Sequence, residues 1–247
     1  AQMKQTLIQF LNERDLTKFK IHDSLNVNLW AGEKLKREVC TQLQKIADEF
    51  VEFVDMENFS ISDLIFTGSL ANYNYTSHSD IDLHIVANVT EKRGEKCDLD
   101  ILDIFNTKRM LWNSQHDITI HGFPVELYVQ LANDDVVATA VYSVKRDEWV
   151  RKPNKKELKQ IDIDDYAIKF KALKIMGDID ELVDAKTDNI QLMKKLKEKI
   201  WAMRQAGLDK SGEMSVENLA FKTIRNSGHI DKLLTYMRHV EDEELSM

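Results

Sequence analysis

The spacing of apolar positions predicts most of the elements of this chain before any chemistry is considered. Between Glu33 and Met56, Leu35, Val39, Leu43, Ile46, Ala47, Phe50 and Phe53 recur at three- and four-residue steps, which places them on one face of an amphipathic helix. A shorter helix is expected over Thr6–Leu11, and the polar, aromatic stretch Phe19–Trp30 reads as a loop. "DLIFT" (Asp63–Thr67) and "DIDLHIV" (Asp80–Val86) have the apolar content of short strands. A charged turn, "TEKRGEK", leads into an expected helix over Leu99–Trp112. "ITIHGFPVELYVQL" (Ile118–Leu131) reads as a strand bent at Gly122-Phe123-Pro124, and "VVATAVYSV" (Val136–Val144) fits either a strand or a short helix.

The texture changes after Pro153. Four helical patterns follow, Tyr166–Val183, Ile190–Ala206, Val216–Arg225 and His229–Val240, in a stretch from 155 to 247 that holds no proline. The expected organisation is therefore a core over 1–153 with N-terminal helices, and a helical C-terminal subdomain over 154–247. The fold class is α/β (α+β), with a sheet flanked by helices.

Composition narrows the function classes. At 43% hydrophobic and 31% charged residues over 247 positions, the chain can bury one large core or a core plus a smaller domain. Two cysteines, Cys40 and Cys97, make neither a disulfide framework nor a zinc pattern and read as reduced cytosolic thiols. A net charge of −8 argues against coating nucleic acid, which needs a basic surface, although a local basic groove stays open. No apolar run is long enough to span a membrane, and a cytoplasmic location is expected. Met3 reads as the natural start, with Ala1 and Gln2 added ahead of it.

The candidate chemistry lies in "TGSLANYNYTSHSDIDLHIV" (Thr67–Val86). Alternation along a strand puts Asp80, Asp82 and His84 on one face and Ile81, Leu83 and Ile85 on the other. Two carboxylates this close raise each other's pKa, and a divalent cation relieves the repulsion. Hard oxygen ligands suit Mg²⁺ or Mn²⁺. Ahead of them, Gly68 lets backbone approach a ligand closely, and turn amides with the Ser69 hydroxyl can hold phosphate oxygens. A helix starting in "SLANYN" would add a positive end to the same anion site. Glu126, in the apolar run "FPVELYV", supplies a third acid, as a metal ligand or as a base for an attacking hydroxyl.

A Gly-Ser turn, ten residues, "DID" and an acid on a later strand together resemble the DNA polymerase β-type nucleotidyltransferase superfamily. "SDIDL" is especially similar to the minimal nucleotidyltransferases. "HGFPVELYVQ" and "GEMSVENLAFKTIR" look like segments of uncharacterised predicted nucleotidyltransferases of tailed phages, which would put the protein in a host cytoplasm. The resemblance implies a mixed, largely antiparallel sheet flanked by helices. It implies that Gly68 and Ser69 grip the β and γ phosphates of an NTP. Asp80 and Asp82 would bind metal, with Glu126 as the third acid, a place where many members carry Asp. Ser79, within "SDIDL", and His84 fall among the expected nucleotide-binding residues. The implied reaction transfers an NMP to a hydroxyl acceptor by a two-metal mechanism, releasing pyrophosphate. The acceptor could be a small molecule, a protein side chain or a nucleic-acid end. Minimal members often carry an Arg soon after the turn, and "LANYNY" has none.

Other readings stay open. The same fold can serve as a non-catalytic nucleotide-binding or regulatory module, or the helical half can act as an interaction surface beside a vestigial site. His84 can touch nucleotide, tune a carboxylate or simply hydrogen-bond at the strand end. "NYNY" (Asn72–Tyr75) can stack a base or serve as an ordinary loop. Lys108 and Arg109 read as a solvated helix face, as does "KKLKEK" (Lys194–Lys199). "KRDEWVRKPNKK" (Lys145–Lys156) fits a substrate edge or a charged interdomain connection.

Overall fold

The structure is a computed structural model that describes residues 19–55, 59–89, 95–132, 138–158, 165–186 and 188–246. The expected Thr6–Leu11 helix lies outside them. The chain divides into two compact units, one of Lys20–Glu157 and one that holds Leu158 onward.

In the first unit a small hairpin, β1 (Trp30–Ala31) and β2 (Lys34–Leu35), precedes helix α1 (Arg37–Val54). Then come β3 (Phe59–Thr67), β4 (Ile81–Val89), helix α2 (Glu95–Gln115), β5 (Thr119–Ile120), β6 (Phe123–Leu131), β7 (Val141–Ser143) and β8 (Glu148–Arg151). β3 to β8 form one sheet in the order β5-β6-β4-β3-β7-β8. Only β4 and β6 run parallel, joined by the α2 crossover; the other pairs are antiparallel. This is the mixed, largely antiparallel sheet flanked by helices expected from the sequence.

Alternation sorts the two faces. Leu64 and Phe66 of β3, Ile81, Leu83 and Ile85 of β4, and Leu127 and Val129 of β6 join one core with Leu43, Ile46 and Phe50 of α1 and Phe105 and Trp112 of α2. Phe50 and Phe53 meet Trp112 edge-on at 5.7 and 5.4 Å, fixing α1 against α2. The odd positions of β4 are apolar because this face is fully buried; its even positions, Asp82 and His84, leave from the other side.

Two elements differ from the sequence pattern. Ile118–Leu131 is a hairpin of β5 and β6, not one bent strand, because His121 (φ 50°) and Gly122 (φ 84°) both take the left-handed conformation of a tight turn. The stretch Lys145–Lys156 contains β8, whose Trp149 packs on Trp30 at 4.9 Å and donates its indole N–H to the Glu33 carbonyl. Five of its six cations are engaged within the unit: Lys145 on the Ile61 carbonyl, Arg146 on Asp63, Arg151 on the Ala138 carbonyl, Lys152 on Glu33 and Lys155 on the Asp23 carbonyl. That favours the structural reading of this basic stretch. "VVATAVYSV" resolves as the strand β7 over Val141–Ser143.

β5 is too short to cover β6. Beyond it the Asn113 side chain of α2 takes the place of a neighbouring strand. Its amide donates to the Leu127 carbonyl (3.0 Å) and accepts from the Leu127 N–H (3.2 Å). Asn113→Ala strips partners from two strand groups at once and is expected to cost about 1–3 kcal/mol, since orphaned buried polar groups carry their desolvation penalty. Urea unfolding reads it as a lower midpoint.

The second unit is built of α3 (Asp165–Asp184), α4 (Ile190–Ser211), α5 (Val216–Asn226) and α6 (His229–Leu245). α5 packs against the other three, and Leu219, Ala220, Phe221 and Ile224 are all buried. Ser215 caps its first turn by accepting from the Asn218 N–H. α4 approaches closely at Gly207, where a Cβ would lie 2.5 Å from that of Glu217. The "KKLKEK" stretch lies on α4, with Lys194 paired to Glu241 and Leu196 buried.

Candidate functional site

The parallel register of β4 and β6 sets Asp82 directly beside Glu126, on the face away from the helical core. Asp80, just before β4, completes a cluster. Carboxylate oxygens from Asp80, Asp82 and Glu126 all lie within 4.8 Å of one another, and all three side chains are half-buried. Residues 44 positions apart in sequence thus meet because α2 returns the chain parallel to β4. The donor set is all hard oxygen, a chemistry that fits a hard divalent cation.

The Gly-Ser turn abuts these acids. Thr67, the last residue of β3, is the register partner of Asp82. Gly68 follows at φ 80°, ψ −168°, a region essentially restricted to glycine. A Cβ at this position would lie 1.8 Å from Asp82 Oδ2. The space that glycine leaves is therefore filled by one of the acids. After the turn there is only a single 3₁₀ turn, Ser69–Ala71, and no helix over "SLANYN". The expected helix-end contribution to anion binding is not there, because Asn72 returns to extended backbone.

Ser79 is buried, and its hydroxyl meets Ser69 Oγ at 2.8 Å and accepts from the Thr76 N–H at 2.9 Å. It ties the turn to the start of β4. The NYNY stretch is occupied structurally. Asn72 is buried and donates to Thr139, Tyr73 lies under Lys155, and Tyr75 stacks on His22 with ring centroids 3.8 Å apart. His22 also contacts the Tyr75 carbonyl through Nε2 and the Tyr73 carbonyl through its N–H.

One row further into the sheet, His84 and Tyr128 are register partners. His84 Nδ1 meets Gln130 Oε1 at 2.8 Å, and its ring stacks on Tyr128 at 4.8 Å. Burial pushes the His84 pKa down, which favours the neutral imidazole. Burial first, then the Glu126 and Asp82 charges, push the Tyr128 pKa far up and keep its hydroxyl protonated. Sequence reasoning passed over Tyr128, although its place two residues after Glu126 puts both on one strand face. Arg109, expected on a solvated face, instead covers the Tyr128 ring at 5.3 Å with its Nε buried, and Lys108 lies over Phe53 at 5.4 Å. Both helix positions sit against the sheet and α1 because α2 lies so close to β6.

No helix among the described residues is long and apolar enough to cross a membrane. No family model and no curated protein matches the chain. Among solved structures, it is similar to a STING-associated CdnE c-di-GMP synthase from Capnocytophaga granulosa, at 14% identity and a TM-score of 0.24, over 85% of this chain and 83% of that one.

Proposed function

We propose that this protein is a divalent-metal-dependent nucleotidyltransferase that moves an NMP from an NTP to a hydroxyl acceptor and releases pyrophosphate. The observation that carries this reading is the convergence of Asp80, Asp82 and Glu126 within 4.8 Å, against the Gly68-Ser69 turn. These three carboxylates would hold Mg²⁺ or Mn²⁺. When bound, such an ion neutralises charge on the triphosphate and on the attacking oxygen.

The chain's own residues do the rest. The turn amides and the Ser69 hydroxyl bind phosphate oxygens, with Ser79 holding Ser69 in place. The acceptor oxygen attacks the α-phosphorus in line, the bond to the β-phosphate oxygen breaks, and pyrophosphate leaves. The hydroxyl proton passes to the Glu126 carboxylate or to water. Catalysis of this type is mostly positioning plus neutralisation of developing charge. The acceptor is a small-molecule hydroxyl, a protein side chain or a nucleic-acid end, and the net charge of −8 weighs against a large nucleic acid.

The test is incubation of the pure protein with labelled ATP, GTP, CTP or UTP, Mg²⁺ or Mn²⁺, and fractionated acceptors. Label transfer with stoichiometric pyrophosphate supports the reading. NTP binding by calorimetry with no product from any fraction supports a non-catalytic nucleotide-binding module instead. Failure to bind any NTP sinks both.

A further inference from the structure

Beyond the acids, the same face of the sheet carries an arginine laid over an aromatic pair. Thr67 pairs with Asp82 and Ile65 with His84, so the step from Asp82 to His84 leads away from the Gly68-Ser69 turn. Tyr128 makes the same step from Glu126 on β6 and pairs with His84. The row of Asp82 and Glu126 therefore has the turn on one side and the His84–Tyr128 row on the other, about 7 Å along the strands. The pair is held in place: its rings stack at 4.8 Å, and His84 Nδ1 meets Gln130 Oε1 at 2.8 Å. Arg109 comes to it from α2. Asn113, one helical turn later, bonds both backbone groups of Leu127 and fixes this face of the helix against β6. The Arg109 guanidinium stands 5.3 Å from the Tyr128 ring centroid. Its buried Nε has no hydrogen-bond partner among the described residues. The ion pairs seen among the described residues of this unit use Lys34, Arg146, Lys152 and Lys155 instead.

We infer that Arg109 anchors an anionic group of the acceptor, which makes the acceptor a small hydroxyl compound carrying a phosphate or a carboxylate. The inference rests on the proposed nucleotidyl transfer and names the acceptor class for it. In-line displacement sets the attacking and leaving oxygens on opposite sides of the α-phosphorus. In that reaction the turn holds the pyrophosphate that leaves. The hydroxyl then enters from the other side of the acid row, over His84 and Tyr128. A guanidinium there can keep its face on the ring and turn its N–H edge to the acceptor. Two parallel N–H bonds to a phosphate or carboxylate are the strong mode of binding for that edge. The spacing sets the size. About 7 Å between the acid row and the next is spanned by a hydroxyl and an oxyanion of one small molecule. A long nucleic acid would bring many phosphates to a chain of net charge −8.

The test begins with a small-molecule cell extract split on an anion exchanger into retained and unretained fractions, beside separate nucleic-acid and protein fractions. Each is offered to the wild-type protein with labelled NTPs and Mg²⁺. Transfer to the retained small molecules is expected. Alkaline phosphatase treatment of that fraction then distinguishes the two sources, since a phosphorylated acceptor is lost and a carboxylated one survives. Arg109→Gln removes the charge and the fork, and far-UV circular dichroism with a thermal melt establishes that it is folded. With the purified acceptor its KM is expected to rise roughly 10–100-fold, while the KM for NTP and the affinity for Mn²⁺ stay at wild-type values. Arg109→Lys keeps the charge without the fork and is expected to fall between the two; it gives a second reading should Arg109→Gln not fold. Transfer only to unretained compounds, or only to nucleic acid or protein, overturns the inference and leaves nucleotidyl transfer standing. So does an acceptor KM that does not change in the variants, or one that rises no more than the KM for NTP, which would assign Arg109 to packing. A wild-type protein that labels nothing in any fraction overturns the transferase reading itself, which separates the two failures.

Discussion

Replacing Asp80 and Asp82 together by asparagine gives a protein that folds, melts no lower than the wild type, and neither holds Mn²⁺ nor transfers a nucleotide. Asparagine matches the shape of each side chain and removes its charge. Asp80, Asp82 and Glu126 crowd their oxygens within 4.8 Å, so two fewer negative charges lessen the repulsion that the ion-free fold must bear. Stability is therefore expected to stay level or rise. Activity moves the other way. Losing even one group that stabilises transition-state charge costs on the order of 10²–10³ in rate, so losing two cation ligands should lower transfer by at least about 10³-fold. Parallel thermal melts, Mn²⁺ titrations and label-transfer assays read the three effects. A double variant with wild-type transfer would remove the acids from the chemistry, and one that melts much lower would make them structural.

Gly68→Ala has the largest expected effect on the fold of the site. Its φ of 80° with ψ −168° is strained for any side chain, which alone costs about 1–3 kcal/mol. The added methyl would also lie 1.8 Å from Asp82 Oδ2. One of the two must move. If the carboxylate yields, it leaves its place beside Glu126, and Mn²⁺ affinity falls by roughly 10–100-fold, as for other disturbed ligand sets. If the turn yields, Ser69 loses its alignment with Ser79 and NTP affinity falls instead. Urea midpoints together with Mn²⁺ and NTP binding distinguish the two routes, and a variant unchanged in all three contradicts the close contact.

Much of the site could be read from the chain because it lies in short-range patterns. Asp80 and Asp82 are one residue apart, the Gly-Ser turn precedes them by ten residues, and Glu126 interrupts an apolar run. Period-two alternation is fixed by strand geometry and needs no knowledge of the rest of the fold. The helices α1 and α3 to α6 follow from apolar spacing for the same reason. What could not be read depends on rotation and register. Arg109 looks like any surface arginine until the orientation of α2 relative to β6 is known. Tyr128 gains meaning only from Asp82 pairing with Glu126 and His84 with Tyr128, a register no local signal encodes. β8 was missed because its four mostly exposed positions, two of them charged, give little strand character, while Trp149 and the pairing with β7 anchor it. The split of Ile118–Leu131 into a hairpin turns on a left-handed His121, a conformation uncommon for a residue other than glycine.

The contact between Gly68 and Asp82 joins two motifs that look independent in the chain. Because the glycine's missing side chain is the room in which the carboxylate sits, neither position can vary alone. Part of the harm of alanine at 68 comes from the carboxylate in that space, so Gly68→Ala should cost less in an Asp82→Ala background than in the wild type, the backbone strain remaining in both. The coupling between the two changes should fall in the range of about 0.5–3 kcal/mol found for residues in direct contact. Under mutation the turn and the acid pair would behave as one heritable unit, and a lineage that abandoned the acid would lose one of the two reasons for the glycine, keeping only its backbone conformation.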